Sequence, residues 1–497
     1  MRLLDDIAAC LGNRFGYNLN ERNVNFTGSD NMDRRNFLKN ISLGTVGLLC
    51  AGYSTGQDPK PARPMNVLFI AIDDMNDWTT LFDPKNPIKT PNIDRLAKRG
   101  MFFNRAYCAA PACCPSRAAI MTGLRPTTSG VYDNNHAWAK MVPDAVTLSR
   151  HFMQNGYRTR GAGKIFHHGR TGADIPGKPS FQKFFKMLPA RLKGKNHNGY
   201  TKGPLSRVWF DWGEHTEKMI DIDTVEWCEK AMDEKGEGPL FLAAGIFKPH
   251  LPFYAPPETF KKYVFDATKL PPMKKNDLDD VPPIGKRMAH RESFIFRNTS
   301  AKVDSDPGSL KKMVQSYQAS ADFADQMVGR LLDKLDASGM KDNTIIVLWA
   351  DHGYHLGDKE SCVKFTLWEK ANHVPLIIAA PGVTTPGTRC AKPVGLIDIY
   401  PTLVELAGLP PRKGLDGKSL VALLKDPKQK WRPAIMTMGK GNHAVRSDRW
   451  RYIRYRDGAE ELYDHSKDPW EWTNLANDDK YAQVISEHRK YLPTREK

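Results

Sequence analysis

A chain of 497 residues, 40% of them hydrophobic, can bury a large core and carry a second, smaller module. With 26% charged and 10% aromatic residues it is neither disordered nor fibrous, and no run reaches the roughly 18 apolar residues that span a bilayer. A net charge of +17 either serves solubility or favours a polyanion, and the lack of zinc-finger spacing, of an aromatic RNA-binding strand and of a long Lys/Arg block argues against nucleic acid.

The first pattern in chain order is "MDRRNFLKNISLGTVGLLCAG", beginning at Met32. Arg34 and Arg35 precede an apolar run over 41–52, which resembles a bacterial twin-arginine export signal. Such a signal is an address read by the export machinery and implies a periplasmic or extracellular protein. Residues 1–31 show no comparable pattern, so Met32 is read as an alternative start, 1–60 as a dispensable leader, and "STGQDPKPARP" (54–64) as a linker. Cys10 and Cys50 fall in this leader. The remaining six cysteines have neither framework spacing nor a C-x-x-C pair, which excludes a disulfide scaffold and a structural zinc site.

Four continuous apolar runs follow: "MNVLFIAI" (65–72), "GPLFLAAGIF" (238–247), "TIIVLWA" (344–350) and "VPLIIAAPG" (374–382). Unbroken apolar strands belong to a sheet covered on both faces. Helical spacing in 92–100, 145–156 and 315–339 lies between them, which predicts an α/β fold around a central, mainly parallel sheet. Residues 170–200 and 265–308 read as long surface loops. From about Trp431 short alternating runs broken by Asp-Gly and Asp-Pro predict antiparallel hairpins, so 431–497 is expected to form a small α+β subdomain after a 61–430 domain.

Three of the four runs end in chemistry: Asp73-Asp74, Lys248-Pro249-His250 and Asp351-His352. Each alone is an ordinary turn or cap residue. In open α/β sheets, however, ligands bind beyond the carboxyl ends of the strands, so these five acids and imidazoles can share one cleft. "CAAPACCPSRAAIMTGLRP" (108–126) adds an adjacent cysteine pair, with Pro115 in the first turn of an expected helix. A helix start with Arg117 beside it is an anion site. The Cys-x5-Arg spacing of cysteine phosphatases is absent, and a thiolate metal site lacks further cysteines. A third reading fits, the signature Cys-x-Pro-Ser-Arg opened by Cys113.

On that motif, on Thr122-Gly123, on "GYRTRGAGKIFH" (156–167), "FKPHLPF" (247–253), "DHGYHLGD" (351–358) and Lys364, the chain resembles the type I sulfatases. "YDNN" (132–135), "GKIFHHG" and "KPHLPF" make it most similar to the iduronate-2-sulfatase group. The resemblance covers about 64–475 and implies an alkaline-phosphatase-like fold, with 61–430 as the catalytic domain. It implies hydrolysis of sulfate esters, on a sulfated polysaccharide or oligosaccharide. Cys113 is implied to be oxidised to formylglycine (3-oxoalanine) by a formylglycine-generating or anaerobic sulfatase-maturing enzyme.

The same resemblance places Ca²⁺, with Mg²⁺ as alternative, on Asp73, Asp74, Asp351, His352 and the modified Cys113. It gives Arg117, Lys164 and Lys364 the sulfate oxygens, His250 the leaving group and His167 the hydrated aldehyde. Asn134 and Tyr354 are candidate sugar contacts. Two departures stand out: Leu124 and Arg125 where relatives place Arg directly after Thr-Gly, and Asp358-Lys359 in place of Glu-His, which puts Lys359 near the cleft. The competing functions are a phosphonate or phosphodiester hydrolase of the same fold and a catalytically degenerate glycan-binding protein.

Overall fold

The computed structural model describes residues 64–167, 174–186, 211–291 and 308–497. Arg34, Arg35 and the rest of the leader lie outside these, as does most of 170–200 and part of 265–308.

Eight strands form the central sheet. In chain order they are β1 (Asn66–Asp73), β2 (Met101–Phe103), β3 (Arg158–Gly163), β4 (Lys183–Phe185), β5 (Leu240–Pro249), β6 (Thr344–Ala350), β7 (Leu376–Ala379) and β8 (Thr388–Cys390). Their spatial order is β8-β2-β7-β6-β1-β5-β3-β4. Only β7 runs against its neighbours, so the sheet is mainly parallel. Every residue of β5 and β6 is buried, as the unbroken apolar runs demand. The fourth apolar run thus forms a buried strand too, but an antiparallel one.

Three helices matter for the site: α1 (Cys113–Thr122), α2 (Ile220–Asp233) and α3 (Ser309–Ala337). α3 begins six positions before the pattern at 315, because Leu310, Met313 and Val314 also reach the core. It ends at Ala337, with Ser338 as its C-cap and Gly339 following at φ 71°. Both α2 and α3 pack on β5.

Beyond the main sheet, β9 (Ala434–Thr437), β10 (His443–Arg446), β11 (Trp450–Arg454) and β12 (Glu460–Asp464) form an antiparallel meander in that order. Its turn at Asp457-Gly458 has the glycine at φ 90°, which a side chain would resist. A buried charge cluster fastens this sheet to the body. Arg451 is fully buried, pairs with Glu369 and reaches Glu471 at 2.7 Å. The Glu369 carboxylate also accepts from Tyr107 Oη (2.8 Å) and Arg446 Nε (3.2 Å).

Lys359 belongs to this junction, and its expected place near the cleft is corrected. Its Nζ is buried against Asp277 Oδ1 (3.0 Å) and the Glu471 carbonyl, under the rings of Trp368 and Tyr463. The backbone at Lys359 lies at φ 53°, turning the chain inward there.

Candidate active site

The carboxyl ends of β1, β3, β5 and β6 converge, and α1 starts among them. Asp73 closes β1 after a register shift between Ile72 and Asp73 against β5, a bulge that re-aims its side chain. Asp74 follows at φ 62°, a costly conformation for a non-glycine residue. Its backbone is held from both sides: its N–H donates to Asp351 Oδ1 (3.1 Å) and Tyr317 Oη donates to its carbonyl (2.7 Å). β3 delivers Lys164, whose N–H donates to the Gly245 carbonyl (2.9 Å). That approach needs two glycines, since a Cβ on Gly245 would collide with the Lys164 backbone and one on Gly163 with Gly245.

α1 begins with Cys113 itself, two residues before the expected Pro115, so the cysteine is the first helical residue. Ala112 supplies no side-chain cap; Asn134 Oδ1 instead accepts from the Cys114 N–H at 2.8 Å. Ser116 Oγ donates to the Asp351 carbonyl (2.6 Å), which ties the helix to the end of β6. Gly123 ends the helix at φ 72°.

Cys113 is completely buried. Around its Sγ stand Lys364 Nζ at 3.1 Å, His352 Nε2 at 3.2 Å and Lys164 Nζ at 3.7 Å, with His167 also in hydrogen-bond contact. Burial alone would raise the thiol's pKa, but Lys164, Lys364 and His352 pull it well below its ordinary value. Its neighbour Cys114 has no such company, and burial pushes it up to about 12.

The carboxylates are equally engaged. Arg117, fully buried, donates from Nε to Asp351 Oδ2 (2.8 Å) and from Nη2 to Asp73 Oδ1 (3.1 Å), while Nη1 meets the Lys164 and Ile165 carbonyls. Arg117 is therefore committed to two carboxylates and a loop, not to an incoming anion. Asp73 also pairs with Lys164, and despite the cost of burial this charge holds its carboxyl far below the usual range. Lys364 Nζ meets Asp74 Oδ1 at 2.7 Å. His352 Nε2 lies 3.3 Å from Asp74 Oδ1 and 3.5 Å from Asp351 Oδ2; burial opposes its charge, but Asp351 raises its pKa to about 9.

One atom is left over. Asp74 Oδ2 is buried and, among the described residues, has no hydrogen-bond partner; His250 Nε2 lies 4.0 Å from it. Such an orphan carboxylate oxygen asks for a ligand. Two overlapping ligand sets surround it, Asp73, Cys113, Asp351 and His352, and Asp73, Asp74, Cys113 and His250, with donor atoms within 4.8 Å of one another. Hard carboxylate oxygens of this kind suit Ca²⁺ or Mg²⁺.

His250 stands on the rim, its side chain 14% exposed and its Nδ1 2.6 Å from the Leu251 carbonyl. Its placement rests on Lys248 and Asp221, neither of which was expected at the site. Lys248, buried, donates from Nζ to the His250 carbonyl (3.0 Å) and to that of Pro252. Asp221 on α2 accepts from the Phe247 (2.6 Å) and Lys248 (3.2 Å) N–H groups. Lys248 is visible in "FKPH" as a charge inside an apolar strand end; Asp221 gave no signal.

Of the two candidate sugar contacts, Asn134 is half-buried and its side-chain oxygen accepts from α1, while Tyr354 is 2% exposed and packs against Phe253 and Tyr317. Arg125 is drawn away to the C-terminal side, its N–H on Asp416 (2.7 Å) and its guanidinium on the Ile435 carbonyl (3.2 Å).

Comparison with known proteins gives the family. The Sulfatase family profile matches residues 65–409, and that of "N-sulphoglucosamine sulphohydrolase, C-terminal" matches 357–497. A sulfatase of Formosa agariphila is 39% identical over 470 residues, covering 91% of each chain, and the iduronate 2-sulfatase of Homo sapiens is 30% identical over 394 residues, covering 70% of each. A solved protein in complex with its substrate D-glucosamine-2-N,6-O-disulfate superposes with a TM-score of 0.67 at 21% identity, over 86% of this chain and 96% of that one. The phosphonate monoester hydrolase of Agrobacterium radiobacter does so with 0.68 at 21%, over 86% and 94%, so at this level only the alkaline-phosphatase-like fold is shared. Among the described residues no helix is long and apolar enough to cross a membrane. With the family profile covering most of the chain and a sulfatase 39% identical over 91% of it, this chain belongs to the sulfatase family and is a sulfuric ester hydrolase.

Proposed function

We propose that the chain hydrolyses sulfate esters on a sulfated saccharide, with residue 113 as nucleophile after its oxidation to formylglycine and a calcium ion on Asp73, Asp74, Asp351 and, when neutral, His352. The observation that carries this reading is the orphan Asp74 Oδ2 among three carboxylates, facing a buried side chain at position 113 ringed by cations. The metal, when bound, would neutralise sulfate oxygens and acidify the attacking hydroxyl of the formylglycine hydrate.

The remaining work falls to the chain's own groups. Asp73, Asp74 and Asp351 are matched in charge by Arg117, Lys164 and Lys364, so an added dication leaves the pocket positive and ready for an anionic ester. Arg117 keeps the carboxylates of Asp73 and Asp351 in register. Lys164 and Lys364 bracket position 113 and stabilise negative charge that grows there or on the sulfate oxygens, as they already do for the thiol. His250, on the open side, protonates the departing alcohol. His167, whose proton affinity burial lowers, takes the proton from the formylglycine hydrate as sulfate leaves.

The saccharide substrate rests on relatives named as iduronate 2-sulfatase and on the neighbour bound to a disulfated glucosamine. The twin-arginine pattern supports export, and maturation calls for a formylglycine-generating or anaerobic sulfatase-maturing partner. One assay tests the reading against a phosphonate hydrolase of the same fold. Matured protein is offered p-nitrophenyl sulfate, phosphate and phenylphosphonate esters and sulfated disaccharides. Preferential sulfate release supports the proposal, and faster phosphonate turnover rejects it.

A further inference from the structure

A cavity of about 650 Å³, within the usual range for ligand sites, opens beside the site. Phe365 in its wall directly follows Lys364, and Asp133 directly precedes Asn134, so the wall is continuous in sequence with two residues that contact α1 and Cys113. Arg291 crosses this wall, paired with Asp133 at 2.7 Å and lying over the Phe365 ring at 4.5 Å. Lys497 also lines it, its Nζ donating to the Met141 carbonyl (2.7 Å), and the remaining cations are Arg287, Lys440 and Arg456. All three are exposed, and none has an ion-pair partner among the described residues. Two come from the C-terminal sheet region and one from the large domain, so the opening is a positive concavity built by both parts of one compact unit.

Unpaired cations around a concave opening concentrate potential, and guanidinium groups grip carboxylate and sulfate with two hydrogen bonds. We infer that this cavity is a subsite for a second anionic group, a sulfate or carboxylate on the sugar next to the one being cleaved. The preferred substrate is then a multiply charged saccharide, with Arg287 and Arg456 as specificity-determining residues and Lys440 adding to the field. The inference rests on the sulfate-ester reading above and adds to it which esters are favoured.

The test uses matured full-length protein, p-nitrophenyl sulfate as reporter and a heparin-derived tetrasaccharide as competing ligand. In Arg287→Ala/Arg456→Ala the inhibition constant of the tetrasaccharide should rise by about tenfold or more, a single strong charge-assisted contact being of that order, while reporter turnover stays as in the wild type. A Lys428→Ala/Lys430→Ala control removes the same charge outside the cavity and should leave the constant unchanged. An unchanged constant in the double variant, or an equal rise in the control, overturns the subsite. Should the wild type release no sulfate from the reporter, the functional reading fails, and calorimetric binding of the tetrasaccharide to the same three proteins still decides the subsite by itself.

Discussion

Lys364→Met separates a working charge from a structural one. The substitution keeps the aliphatic stem and removes an ammonium lying 3.1 Å from Cys113 Sγ and 2.7 Å from Asp74 Oδ1. Loss of one donor aimed at developing charge costs about 10²–10³ in kcat, or roughly 3–4 kcal/mol of transition-state stabilisation. Asp74 is left with neither oxygen paired to a lysine, because Oδ2 already lacks a partner, and breaking such a buried pair costs the metal-free protein about 3–5 kcal/mol of stability. Yet no ammonium then competes with an added cation for the freed Oδ1. The variant should therefore unfold at lower temperature than wild type in EDTA and gain more than wild type from added Ca²⁺, since ligand stabilisation grows with affinity. Thermal unfolding across a calcium titration, beside p-nitrophenyl sulfate turnover, reads both. Activity within about threefold of wild type, or a calcium response smaller than that of wild type, would refute the reasoning.

Lys248→Met should let the His250 segment drift, since two carbonyls lose their shared donor. An alcohol leaving group needs the proton and p-nitrophenolate does not, so sugar or alkyl sulfates should slow by about 10²-fold with p-nitrophenyl sulfate little affected; equal losses would assign Lys248 a merely structural role. Gly245→Ala forces β5 and the Lys164 backbone apart, and should abolish turnover while circular dichroism keeps the fold; full activity would mean that Lys164 needs no such seat. In the buried Asp77 group, burial raises the carboxyl but Lys370 and His373 win, lowering it from 3.8 to about 2. A depressed carboxyl stabilises the fold above its unfolded value and loses that contribution as pH falls from about 4 to about 2, here about 2 kcal/mol. Asp77→Asn should be less stable at neutral pH but show a flatter acid-unfolding profile, and parallel profiles would contradict the assignment.

Much of this was legible because it is local. Continuous apolar runs mark buried strands, and carboxylates or histidines at their carboxyl ends mark a cleft, which is how Asp73, Asp74, His250, Asp351 and His352 could be gathered from positions far apart. The hairpins after Trp431 were equally plain from alternation and Asp-Gly. What escaped depends on long-range pairing. Arg117 looks like an anion grip beside a helix start, but two carboxylates from other strands claim it. Lys359, following Asp358 in the motif, reads as a residue near the cleft, but Asp277 and two aromatic rings hold it at the junction with the C-terminal sheet. The left-handed backbone at Asp74 has no sequence mark, for it is imposed by Tyr317 and Asp351, each more than two hundred residues away.

The central claim is that the side chain at position 113 is converted and does the chemistry. Trypsin releases residues 106–117 as one peptide, in which conversion replaces CH2SH by an aldehyde and lowers the mass accordingly. Preparations made with and without a sulfatase-maturing enzyme give graded conversion, to be set against sulfate release per mole of protein. Turnover should be proportional to the converted fraction and extrapolate to zero in its absence. Full turnover from protein whose peptide carries only unmodified Cys113 would contradict it.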